Sequence, residues 1–195
     1  MGKYFGTDGV RGVANIELTP ELAYKIGRAG AYVLNKENSH KPTIIVGMDT
    51  RISGDLLEAS LIYGMCSVGA KVISLGIIPT PAIAYLVKKY NVHAGVMISA
   101  SHNPFQDNGI KFFNSNGFKL SDSIEEEIED YMDNKYSEIP YVEGSELGYR
   151  ELKEEAIEDY VEFLKSTIDV NFEDINLTID CANGATYQVA PILFE

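Results

Sequence analysis

Between Ser101 and Lys111 the chain carries Ser101, His102, Asn103, Asn108 and Lys111, which together supply one hydroxyl, one imidazole, one ammonium and two amides. That is the equipment of a phosphate site. The run before them, Val92 to Ile98, is apolar, β-branched and short enough for a buried strand. Asn103-Pro104 then forces a turn. Ile110 to Phe113 resumes a strand-like pattern. Loops at the carboxyl ends of buried strands are where open α/β sheets carry their chemistry.

Two further segments bring charge. Tyr4-Phe-Gly-Thr-Asp-Gly-Val-Arg-Gly12 sets Thr7, Asp8 and Arg11 among three glycines. Such a tight loop lets its backbone approach a ligand closely. Arg11 held there has the geometry to grip a phosphate through paired hydrogen bonds; equally, it fits an exposed arginine on a surface turn. Met48-Asp-Thr-Arg-Ile-Ser-Gly54 follows an apolar strand. Its Asp49 and Arg51 either shape a ligand site or pair with each other across the loop.

Ser101 admits three readings. A serine hydrolase is disfavoured: neighbouring residues rarely aim side chains at each other, no Gly-x-Ser-x-Gly elbow is present, and a triad needs a base distant in sequence. The other two are a phosphate- or sugar-binding loop without chemistry, and a serine that carries a phosphoryl group and hands it on. Phosphoryl transfer needs little beyond positioning and charge neutralisation. Ser101, Lys111, His102 and Arg11 would supply nucleophile, proton handling and positive charge. The residues alone do not separate these two readings.

The elements that must position these residues alternate. Thr19 as N-cap and Pro20 as first helical residue start a helix with Leu22, Ile26, Ala29 and Val33 on one stripe, ending in Asn35–His40. A strand at Thr43–Gly47 follows. Ser53 caps a second helix carrying Leu57, Leu61, Met65 and Val68; Ala70–Leu75 is a strand; Thr80 caps a third helix through Tyr90. After Val92–Ile98, Asn116-Gly117 signals a hairpin between Ile110–Phe113 and Phe118–Leu120, so at least one strand should run antiparallel. Ser123 with Glu126 suggests a capping box for a fourth helix. Residues 134–150 read as a loop, Glu151 onward as a long amphipathic helix, Asn171–Asn176 as a linker. Leu177–Cys181 then reads as a strand, and Ala182–Thr186 as its turn into a helix. The sum is a three-layer α/β/α sandwich with a mixed, mostly parallel sheet in residues 1–150. A connecting helix and linker in 151–174 and the start of a second, similar domain in 175–195 follow. A domain that has placed one strand and part of a helix cannot close a core, so the chain is expected to be a piece of a longer protein.

The chain has 195 residues, 45% hydrophobic and 23% charged, as expected of a folded globular protein. Sixteen basic against 29 acidic residues give −13 at pH 7. Such a chain should repel nucleic acid and anionic membranes, so any phosphate must be held by a local basic site. Cys66 and Cys181 are far apart, in apolar surroundings and without metal-ligand or redox spacing, so reduced thiols are expected. With no apolar signal core, no myristoylation pattern and no apolar run long enough to span a bilayer, a cytoplasmic location is expected.

Ser99-Ala-Ser-His-Asn-Pro104 followed by Asn108-Gly-Ile-Lys111 resembles the active-site serine loop of the α-D-phosphohexomutases. Gly6-Thr-Asp-Gly-Val-Arg-Gly12 resembles the opening of the phosphoglucosamine mutase branch of that family, whereas the phosphomannomutase and phosphoglucomutase branches usually open differently. Gly47–Gly54 and Ile179–Ala185 also fit; Met48 departs, standing where a basic residue is expected. The resemblance covers essentially the whole chain. It implies an intramolecular phosphotransferase in which phosphorylated Ser101 binds Mg²⁺ through its phosphate. Glucosamine 6-phosphate and glucosamine 1-phosphate would interconvert through a bisphosphate that also serves as activator. It assigns catalytic roles to Ser101, Lys111, His102 and Arg11, substrate binding to Thr7, Asn108 and Arg51, and suggests a homodimer. It also implies four domains, with the Asp-rich metal loop, the sugar-recognition loop and a further phosphate-binding loop beyond Glu195. This chain alone is then expected to bind Mg²⁺ weakly and to lack isomerase activity. The alternatives are another sugar specificity within the same family, or a phosphosugar-binding module without catalysis.

Overall fold

The computed structural model describes residues 2–36, 41–169 and 175–195. Six strands form one sheet in the order β1-β5-β4-β2-β3-β6: β1 Val10–Val13, β2 Thr43–Met48, β3 Lys71–Ile77, β4 Ala94–Ile98, β5 Asp107–Asn114 and β6 Tyr149–Leu152. β2 pairs in parallel with β3 and β4, and β3 with β6; β5 runs antiparallel to both β4 and β1. The sheet is therefore mixed and mostly parallel, as the pattern predicts.

Helices cover both faces. Ile44, Val46, Val96, Ile98 and Phe112 point to one core, closed by α1 (Pro20–Lys36), α2 (Gly54–Cys66) and α4 (Asp122–Asp133). Ile45, Met97 and Phe113 point to the other, closed by α3 (Thr80–Lys89) and α5 (Ala156–Ser166). The period-two alternation along β2 and β4 thus feeds two layers at once, which is why these strands read as continuous apolar runs. α1 and α2 cross at backbone contact: a Cβ on Gly27 would lie 2.2 Å from Leu61 O, and one on Gly64 would lie 2.2 Å from Tyr24 O. Among the described residues no helix is long and apolar enough to cross a membrane.

Several local expectations are corrected. The Tyr4–Gly12 segment is not all loop, because Val10–Val13 finds an edge position beside β5. Residues 134–150 hold two short 3-10 turns and lead into β6, which pairs with β3, so the connecting helix begins at Ala156 and not at Glu151. Buried Arg28 anchors the preceding stretch, donating to Ser67 Oγ, Ile139 O and Pro140 O, with Tyr141 stacked on its guanidinium. The turn at Asn114–Gly117 forms, with Gly117 at φ +77°, but Phe118–Leu120 contributes only a single bridge, Phe113 to Lys119.

Thr19 Oγ1 accepts from Leu22 N as an N-cap should. Ser53, Thr80 and Ser123 do not cap. The Ser53 hydroxyl is taken by Asn108, Pro79 stands before α3, and Ser123 lies inside α4, its hydroxyl against that of Ser121. Leu177–Cys181 is irregular and mostly exposed, since no strand among the described residues is there to pair with it; the short helix α6 (Val189–Phe194) follows. Residues 37–40 of the expected helix end and 171–174 of the expected linker lie outside the described residues.

Candidate active site

β4 is buried along its whole length and ends at Ile98. Ser99 follows at its carboxyl end, and the chain emerges so that Ser101 is exposed. Ser101 adopts φ +56°, a left-handed conformation uncommon for a residue with a side chain. Such a backbone costs about 1–3 kcal/mol and persists only where its surroundings hold it.

Arg51 holds it. Its guanidinium donates to Ser101 O and Asn103 O through Nη2, at 2.9 and 3.0 Å, and to Pro104 O and Asp107 O through Nη1, at 2.6 and 2.9 Å. Nε donates to Asp49 Oδ2 at 3.0 Å. All five guanidinium N–H groups are thereby used. Asp49 is braced in turn by its own loop, through Arg51 N, and by Ser99 Oγ at 2.6 Å. Ser99 Oγ also accepts from Ser101 N at 3.0 Å. Arg51 is therefore a clamp on the serine loop, its guanidinium donors taken up by the loop carbonyls and Asp49. Asn108 is fully buried, donating to Ser53 Oγ and accepting from Gly109 N.

On the neighbouring strands the cations converge. Lys111 Nζ donates to Asp8 Oδ1 at 3.0 Å, and Arg11 Nη2 lies 3.5 Å from Asp8 Oδ2. The hydrogen bond from Lys111, then the charges of Lys111, Arg11 and His102, hold the Asp8 carboxyl below its ordinary range. Lys111 and Arg11 thus meet at one carboxylate. Ser101 Oγ stands 3.4 Å from His102 Nδ1, a long contact, and among the described residues no carboxylate orients the imidazole. A hydrolase triad has no support here.

Ser101 lines a cavity of about 610 Å³ together with Ser99, Asn103 and Thr50 on one side and Asn183 and Thr186 on the other. Thr50 Oγ1 donates to Asn183 O across it. Exposed Thr7 and half-buried Arg11 line a separate recess of about 340 Å³. Sequence reasoning did not single out Ser99, although its spacing of two from both Met97 and Ser101 places it on the same sheet face as Met97 and beside the loop.

Residues 2–138 match the family described as phosphoglucomutase/phosphomannomutase, alpha/beta/alpha domain I. The chain belongs to this family. It is similar to the phosphoglucosamine mutases of Ruminiclostridium cellulolyticum, at 63% identity, and Acetivibrio thermocellus, at 60%, in both cases over 100% of this chain. It spans 44% and 43% of their lengths, less than half of each. A solved phosphoglucomutase/phosphomannomutase family protein of Burkholderia thailandensis superposes with a TM-score of 0.77 at 24% identity, covering 98% of this chain and 41% of that one, which establishes the fold.

Proposed function

We propose that this chain is the phosphoserine-bearing part of a phosphoglucosamine mutase. Its first domain then runs through β6, to Leu152, and a second domain begins near residue 175. The observation that carries the reading is Ser101: an exposed hydroxyl at the carboxyl end of a buried strand, in a strained backbone held by a five-donor arginine. The names and identity of the relatives support the choice of sugar.

In the proposed cycle the phosphoryl group on Ser101 passes to the O1 hydroxyl of glucosamine 6-phosphate. The bond from phosphorus to Oγ breaks, the bond to O1 forms, and the hydroxyl proton ends on Oγ. The bisphosphate turns over in the site and returns its other phosphoryl group to Ser101, leaving glucosamine 1-phosphate. Lys111 and Arg11 neutralise charge on the moving group. His102, next to the nucleophile, is the candidate proton carrier.

Mg²⁺ prefers several hard oxygen ligands. Among the described residues no group of three or more His, Cys, Asp or Glu is placed to hold a metal. Asp49 and Asp8 are already engaged with Arg51 and Ser99, and with Lys111 and Arg11. Beyond a phosphate on Ser101, these residues do not amount to a Mg²⁺ site.

Assaying the complete protein for glucosamine 1-phosphate formation tests the reading. Turnover that needs a trace of bisphosphate and falls on the order of a thousandfold or more in Ser101→Ala is expected. Full turnover in that variant would contradict it.

A further inference from the structure

Arg11 and Lys111 leave the same face of the sheet. Arg11 stands opposite Gly109 in the β1–β5 ladder. Lys111 lies two positions along β5 from Gly109, so the pleat sends it the same way. The missing side chain at Gly109 is required: a Cβ there would lie 3.0 Å from Arg11 Cγ and 2.7 Å from Ser99 O. The stem of Arg11 thus crosses Gly109 and brings its guanidinium towards the lysine.

Two like charges over one stretch of sheet would repel, and a carboxylate lies between them. One oxygen of Asp8 takes Lys111 and the other faces Arg11. The buried Arg11 Nε has no acceptor among the described residues, so the arginine keeps unused donor capacity. The Asp8 side chain is 50% exposed, leaving the junction open to solutes.

We infer that Asp8 is a surrogate anion: it holds Lys111 and Arg11 in the arrangement a phosphoryl group requires and yields them when that group arrives. The inference rests on the phosphate-handling reading of this site. Asp8 is then a positioning residue that acts through two cations. Without an internal anion the pair would bind phosphate more tightly and release it more slowly. A site that must pass a phosphoryl group both ways gains from intermediate affinity.

The test is a phosphorus NMR titration of inorganic phosphate against the 195-residue chain and its Asp8→Asn, Asp8→Glu and Lys111→Ala variants, each first checked for native circular dichroism. Asp8→Asn should bind phosphate about fivefold more tightly, the scale of one exposed charge interaction. Asp8→Glu should match the parent, and Lys111→Ala should bind more weakly. A purely structural role for Asp8 would weaken binding, never strengthen it. Unchanged or weaker binding in Asp8→Asn, with Lys111→Ala still impaired, would overturn the surrogate role and leave the phosphate site standing. Equal binding in the parent and Lys111→Ala, or none in either, would overturn the phosphate site and the inference with it.

Discussion

Replacing Arg51 tests whether one side chain holds the serine loop. The Arg51 side chain is 9% exposed and that of its Asp49 partner 13%. Arg51→Ala leaves Asp49 with only Ser99 and its own backbone as partners, and removes a donor from the carbonyls of Ser101, Asn103, Pro104 and Asp107. Breaking a sheltered ion pair by removing one partner costs about 3–5 kcal/mol. The four carbonyls belong to a largely exposed loop and rehydrate, and Ser101 regains an unstrained backbone, which returns part of the loss. The total should lie near the lower end, about 3 kcal/mol. Arg51→Lys keeps the charge but offers three donors where five are used, so about half of that loss is expected. Urea unfolding followed by circular dichroism reads both: with a slope of about 2–3 kcal/mol per molar, the midpoint falls by about 1–1.5 M in Arg51→Ala. Limited proteolysis should then cut between Ser101 and Asp107, where the parent resists. A midpoint within about 0.2 M of the parent, with the loop still protected, would refute the clamp.

Three further outcomes follow from the same structure. Gly109→Ala forces a Cβ against Ser99 O and Arg11 Cγ; overpacking of this kind costs about 1–3 kcal/mol, and phosphate binding should weaken with it in the same NMR titration. Burial raises the Glu125 carboxyl above its ordinary 4.5, with Lys119 pulling the other way. The folded chain therefore keeps a proton that the unfolded chain releases, so stability falls as pH rises through 4.5 and levels off above the raised value. Glu125→Gln should flatten that slope in urea midpoints measured between about pH 4 and pH 6. Burial also raises the Cys66 thiol, so iodoacetamide at neutral pH should label it more slowly in the folded chain than in urea, read by peptide mass spectrometry; equal rates would contradict this.

The layered fold was legible because β2 and β4 are buried on both faces and must be apolar, while α1 carries its stripe at helical spacing. The two edge strands were not. Val10–Val13 contains an arginine and a glycine, and Tyr149–Leu152 is exposed throughout, so neither carries a burial pattern; tertiary pairing alone makes them strands. The same limit applies at the site. Ser101, Lys111 and Arg11 announce themselves by type and spacing. That Arg51 turns inward and that Asn108 is sealed depends on which carbonyls and hydroxyls the fold brings beside them, from residues up to 56 positions away. Ser53 shows the competition directly: a residue well suited to capping a helix gives its hydroxyl to Asn108 instead.

Phosphopeptide mapping of the complete protein, before and after incubation with glucosamine 1,6-bisphosphate, tests the central claim most directly. Phosphate on the peptide carrying Ser101, gained from the bisphosphate and discharged by glucosamine 6-phosphate, is the predicted result. A Ser101 that stays unmodified under both conditions would contradict the phosphoserine cycle and leave a loop that binds phosphate without transferring it.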